Sequence, residues 1–127
     1  MSPITTHVLD ISLGRPAQGV AIVLDRQDAN GSWTELGRGA TNADGRLPTL
    51  LADQTTLTAG AYRLRFLTDA YFASVGVNGF YPEVSVLFRI DEPASHYHVP
   101  LLLSPYGYST YRGILGGIVG TSILACP

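Results

Sequence analysis

The chain is poor in cysteine, in charge and in long apolar runs, and each shortage removes a class of protein. Its one cysteine, Cys126, has no partner for an internal disulfide, and Cys/His spacings of the structural-zinc kind are absent. Only 14% of the residues are charged and the formal net charge is −2. There is thus no basic field for nucleic acid and no polybasic cluster for an anionic membrane. The apolar stretch at residues 114–127 is shorter than the roughly 20 residues that a membrane span needs. The first residues, Met1-Ser2-Pro3-Ile4-Thr5-Thr6-His7, show neither a basic nor an apolar leader segment, which makes the cytoplasm the expected compartment. Gly-x-Ser-x-Gly, phosphate-loop and dinucleotide signatures are missing too, and with them the commonest hydrolase and nucleotide-binding chemistries. Nothing calls for a cofactor. The expected partners are a small molecule and further copies of the chain, with no nucleic acid and no membrane.

What is present is strand patterning. Val20, Ile22 and Leu24 alternate with Ala21, Val23 and Asp25, and Tyr62, Leu64 and Phe66 alternate with Arg63 and Arg65. Val84, Val86, Phe88 and Ile90 do the same against Ser85, Leu87 and Arg89. Side chains point to opposite faces of a strand in turn, so each run offers one core face. Turn signals separate the runs: Leu13-Gly14-Arg15-Pro16, Asp28-Ala29-Asn30-Gly31, Asn42-Ala43-Asp44-Gly45, Ala59-Gly60 and Asn78-Gly79. A spacing of roughly ten residues predicts an all-β sandwich or barrel of about eight strands. One short helix is expected, capped by Thr68 or Asp69 and running through Ala70 towards Val75, before Gly76. At 127 residues the chain suits one domain with its own core.

The chemistry is concentrated in few residues. All three histidines, His7, His96 and His98, fall in predicted strands, and His96 and His98 share a face because they are two apart. That pair suits acid/base work, metal binding or mere decoration of a solvated face. No carboxylate or cysteine stands at a useful spacing, so no metal site is expected and acid/base work ranks above it. Arg46, after the turn Asn42-Ala43-Asp44-Gly45, reads by itself as a solvated turn residue. Arg112 could hold a planar polar group bidentately or act as an edge-strand charge. Tyr106, Tyr108 and Tyr111 could all be cross-strand packing. With no covalent nucleophile in view, these residues favour activation of water or binding of a planar polar ligand.

Several motifs together carry a resemblance: Thr6-His7-Val8-Leu9-Asp10, Gly14-Arg15-Pro16-Ala17, Asp44-Gly45-Arg46, Phe80-Tyr81-Pro82-Glu83, and His96-Tyr97-His98-Val99-Pro100-Leu101-Leu102 followed by Tyr111-Arg112-Gly113. From residue 3 to residue 113 the chain resembles the transthyretin-related family, in its 5-hydroxyisourate hydrolase branch. The resemblance implies a prealbumin-like β-sandwich of two four-stranded sheets with one short helix, assembled as a homotetramer with sites at the dimer–dimer interface. It also implies hydrolysis of a ring amide of 5-hydroxyisourate in urate breakdown. By motif, His7, Arg46 and His98 are the expected catalytic residues, and His7, Arg46, Tyr111 and Arg112 the expected substrate contacts. Either His7 or His98 could be the base, titrating near the ordinary histidine value of about 6.5.

The pattern departs from the family after Gly113, where a terminal serine is usual and this chain has Ile114. Residues 1–113 are therefore read as the hydrolase-like domain and 114–127 as an apolar extension: a passenger, a plug for the sites or an assembly surface. The alternative function is a non-catalytic binding or assembly protein that keeps the fold while the extension alters its sites.

Overall fold

A computed structural model describes residues 2–52 and 54–113; the expected extension lies outside the described residues. Strands β1 (Ile4–Asp10), β2 (Arg15–Pro16), β3 (Ala21–Gln27), β4 (Trp33–Ala40) and β5 (Gly60–Leu67) come first. Helix α1 (Thr68–Ser74), then β6 (Val84–Ile90), β7 (Tyr97–Ser104) and β8 (Gly107–Thr110) complete the order. They form two four-stranded sheets, β2-β1-β7-β8 and β4-β3-β5-β6. This is the expected sandwich. Among the described residues no helix is long and apolar enough to cross a membrane.

The alternating runs fill the space between the sheets. Ile22, Leu24, Tyr62, Leu64, Phe66, Val84 and Ile90 from one sheet meet Ile4, Val8, Tyr97, Val99, Leu101 and Leu103 from the other. Burying a side chain of this size contributes about 1.5–3 kcal/mol. All pairings are antiparallel except one: β1 lies parallel to β7, in a register that sets Thr5 beside His98 and His7 beside Pro100. On the far face of the second sheet, buried Asp25 accepts from Nε of both Arg63 and Arg65, each at 2.8 Å, and Arg63 also lies over the Trp33 ring. Burial would raise the Asp25 pKa, but Arg65 and Arg63 outweigh it and hold the carboxyl below its ordinary value.

The helix stands where the sequence predicts it, but it starts differently. Leu67 is the N-cap residue and no side chain caps the helix. β5 passes into the helix without a loop, so Thr68 already lies in the first turn. Its hydroxyl instead donates to the carbonyl of Tyr81 at 2.7 Å, and the Asp69 N–H donates to that of Pro82 at 3.1 Å. The helix is tied to β1 through buried Asp10, whose carboxylate accepts from the Tyr71 hydroxyl at 2.7 Å, the Ser12 hydroxyl and the Ser12 and Leu13 N–H groups. Burial favours the neutral acid, but these bonds, Tyr71 foremost, prevail and lower the Asp10 pKa.

Replacing Tyr71 with Phe should therefore cost about 1–3 kcal/mol at pH 7 by urea denaturation, because a buried carboxylate loses a donor. The Asp10 contribution is present above the ordinary carboxyl range and lost as pH falls through its lowered folded value, so the deficit should shrink in strong acid.

Candidate active site

Thr5, His7 and Leu9 on β1, and His98, Pro100 and Leu102 on β7, alternate with the core residues and so project from the outer face of the first sheet. Such a face is normally wet. Here His98 is 0% and His7 4% exposed, which rules out decoration of a solvated surface.

Two straps cover the histidines. Residues 42–46 form an Asx turn in which Asn42 Oδ1 accepts from the N–H groups of Asp44 and Arg46. The turn crosses β1: the Val8 N–H donates to the Gly45 carbonyl at 2.8 Å, and His7 bridges Arg46. Residues 111–113 cross β7 in the same manner, with the Gly113 N–H donating to the His98 carbonyl at 2.8 Å. Each strap lays a glycine against an imidazole. A Cβ on Gly45, whose φ is +77°, would strike the Val8 carbonyl and sit 3.3 Å from His7 Cδ2. A Cβ on Gly113 would come 2.6 Å from His98 Cδ2. The glycines in Asp44-Gly45-Arg46 and Tyr111-Arg112-Gly113 are thus required by close approach.

The rings are held in defined states. His7 Nε2 donates to the Asp44 carbonyl at 2.8 Å, since a carbonyl can only accept, so the neutral ring carries its lone pair on Nδ1. Burial and then the Arg46 charge lower the His7 pKa. His98 falls further, to about 4, through burial first and then the charges of Arg46, His96 and His7. His96 is lowered chiefly by burial. The ordinary histidine value expected from the sequence is therefore corrected downward, and at neutral pH all three imidazoles are uncharged.

Thr5 was not singled out in the sequence. Its Oγ1 lies 2.8 Å from His96 Nε2 and 2.7 Å from His98 Nδ1. The only signal would have been the register of β1 on β7, which a single sequence does not show. The other nitrogen of His98, Nε2, is buried with no hydrogen-bond partner among the described residues. A buried polar atom in that condition costs about 1–3 kcal/mol, so this one is a place for a ligand or a water.

Arg46 is half-buried rather than solvated, and with His7, Asp10, Arg15 and Asp44 it lines a cavity of about 590 Å³. Tyr111 and Arg112 line a different cavity of about 440 Å³, with Phe88, Tyr97 and Thr110. The Arg112 guanidinium lies 4.4 Å from the centre of the Tyr97 ring and donates to the His96 carbonyl at 3.2 Å. One chain thus places His7 and Arg46 on one cavity, with buried His98 within reach of the Arg46 charge, while Tyr111 and Arg112 line a separate cavity. Tyr108 packs edge-on against Tyr81, which lies in the segment before β6, so this contact is not a cross-strand pair. Among the described residues no three His, Cys, Asp or Glu side chains are grouped to hold a metal.

Fold and site together define a two-sheet sandwich of the transthyretin type with a histidine- and arginine-lined pocket on the outer face of one sheet. The chain belongs to the HIUase/Transthyretin family, whose model matches residues 4–113. It is 48% identical over 113 residues to a 5-hydroxyisourate hydrolase of Mus musculus, covering 88% of this chain and 95% of that one. The solved 5-hydroxyisourate hydrolase of Klebsiella pneumoniae superimposes with a TM-score of 0.77 at 41% identity, over 90% of this chain and all of that one. Sea bream transthyretin in complex with thyroxine superimposes with a TM-score of 0.83 at 34% identity, over 92% and 99% of the two chains.

The lowered His98 pKa links the site to stability. The unfolded chain binds a proton near pH 6.5 that the folded ring refuses down to about pH 4, so stability falls as pH is lowered through that window. One such proton corresponds to about 1.4 kcal/mol per pH unit. Denaturation curves between pH 7.5 and 4.5 should show a steep loss for the native chain and a slope lower by about one proton for His98→Gln.

Proposed function

We propose that this protein is a 5-hydroxyisourate hydrolase, opening a ring amide of 5-hydroxyisourate to yield 2-oxo-4-hydroxy-4-carboxy-5-ureidoimidazoline in urate breakdown. The observation that carries the reading is the buried, unpartnered Nε2 of a neutral His98, beside His7 and Arg46. The names of the mouse and Klebsiella relatives point the same way.

His98 is the general base: its Nε2 takes a proton from water as the oxygen attacks the ring carbonyl. A low pKa makes a ring a weaker base but keeps it wholly unprotonated at neutral pH. Arg46 supplies a fixed positive charge for the oxyanion that develops, in a site where burial strengthens the interaction. His7, oriented by the Asp44 carbonyl, binds the substrate and shares in catalysis. Tyr111 and Arg112 contribute to substrate binding from the strap whose Gly113 lies against His98, a role that needs the assembled protein because their side chains line the neighbouring cavity in one copy. The assembly is a homotetramer. It is supported by exposed apolar side chains on the outer strands, Leu87 on β6 and Tyr108 on β8, and by exposed Ile11 and Leu13 beside the pocket.

A carrier reading has the thyroxine-bound relative in its favour, but a carrier has no use for a buried base beside a guanidinium. Urate oxidase can generate 5-hydroxyisourate in the cuvette, and its disappearance can be followed by absorbance. The native chain should accelerate decay, and His98→Asn should reduce turnover by roughly a hundredfold or more with unchanged circular dichroism. No acceleration by the native chain would refute the hydrolase, and a loss below about tenfold would remove His98 as base. Light scattering in the same buffer should give four times the chain mass.

A further inference from the structure

The bond between Thr5 and two histidines carries more than orientation. A hydroxyl has one proton, so at most one of the two imidazole nitrogens facing Thr5 Oγ1 can be an acceptor, and at least one must be an N–H donor. The unpartnered Nε2 of His98 decides between them. A buried N–H with no acceptor is rarer and costlier than an under-used acceptor. The lone pair therefore belongs on Nε2 and the proton on Nδ1. His98 Nδ1 then donates to Thr5, and Thr5 donates to Nε2 of His96.

We propose that His98, Thr5 and His96 form a proton relay running from the fully buried His98 ring to the half-buried His96 ring, with Thr5 as the positioning residue that sets the tautomer of the base. This rests on the hydrolase reading above and deepens it. When water attacks, one O–H bond breaks and its proton goes to His98 Nε2. The Nδ1 proton passes to Thr5 as the Thr5 proton passes to His96 Nε2, so the positive charge comes to rest on His96. That ring is only half-buried, whereas His98 is fully buried and lies within the field of Arg46. Charge on His96 is the cheaper arrangement, although Arg112 opposes it from the strap. On collapse of the tetrahedral intermediate the shifts reverse. His96 returns a proton through Thr5 to Nδ1, and Nε2–H protonates the departing ring nitrogen. Water and the ring amide are consumed, a carboxylic acid and a ureido NH2 are formed, and both histidines end neutral.

Two measurements test this on the full chain. In the coupled assay Thr5→Val should lower kcat by roughly tenfold or more while KM changes by less than about threefold, because the isostere keeps the packing and removes the relay. Thr5→Ser should restore most of the loss. His96→Gln should lower kcat to a similar extent, and adding it to Thr5→Val should cost little more, as expected for one unit. Independently of activity, nitrogen-15 NMR of labelled histidine in the resting protein should show His98 protonated on Nδ1 and bare on Nε2. A His98 proton on Nε2, or a Thr5→Val enzyme with native kcat, would overturn the relay. If the native chain has no hydrolase activity, the functional reading fails by that result, and the NMR tautomer still decides whether Thr5 holds His98 as proposed. Should Thr5→Val fail to fold, a Thr5→Ser enzyme that loses activity as severely as His96→Gln would also count against it.

Discussion

The parallel pairing of β1 with β7 is the constraint on which the rest of the site depends. The first long strand and the last lie side by side, in a register that sets Thr5 against His98 and leaves His7 one step along the same face. A shift by one residue would send every one of these side chains into the core and bring apolar residues out. The hydrophobic alternation that keeps Ile4, Val8, Val99 and Leu101 inside therefore also holds the imidazoles together outside. Packing energy positions the chemistry without a separate scaffold.

On that face the two glycine straps convert an outward surface into an interior. The turn at 42–46 and the segment at 111–113 come from distant parts of the chain, yet each does the same thing: it donates or accepts a backbone hydrogen bond across a strand and presses a glycine onto a ring. The flat contact removes water, and loss of water lowers the histidine pKa values. Close packing, burial and protonation state are consecutive steps of one cause. Arg46 comes with the first strap, so the fixed charge reaches the site on the segment that desolvates it.

Elsewhere the molecule handles buried charge differently. Asp25 and Asp10 are as deeply buried as the histidines, but each is surrounded by donors, and each stays ionised with a lowered pKa. Among the described residues, the ring of His98 has a hydrogen-bond partner at Nδ1 and none at Nε2. The carboxylates are fully satisfied and serve structure. The imidazole left with an unused nitrogen is the group equipped to act on something else.

By itself the sequence determined what local pattern can carry. The alternating runs identified the core faces, the Asn-Ala-Asp-Gly signal marked a turn that exists, the Ala-Gly signal proved to be a bend and the first residue of β5, and the helix fell between β5 and Gly76 with only its cap misassigned. The motifs pointed to His7, Arg46 and His98; of these His7 and Arg46 share a cavity, and His98 is buried within reach of the Arg46 charge. The tertiary structure alone decided that these side chains are buried, that Arg46 is more than a turn residue, that Tyr111 and Arg112 face a neighbouring cavity, and that Thr5 belongs to the site at all. The reason is physical. Alternation and turn chemistry act over a few residues, whereas burial of an outer sheet face depends on which remote segments cross it, and the partner of Thr5 depends on a register between strands some ninety residues apart.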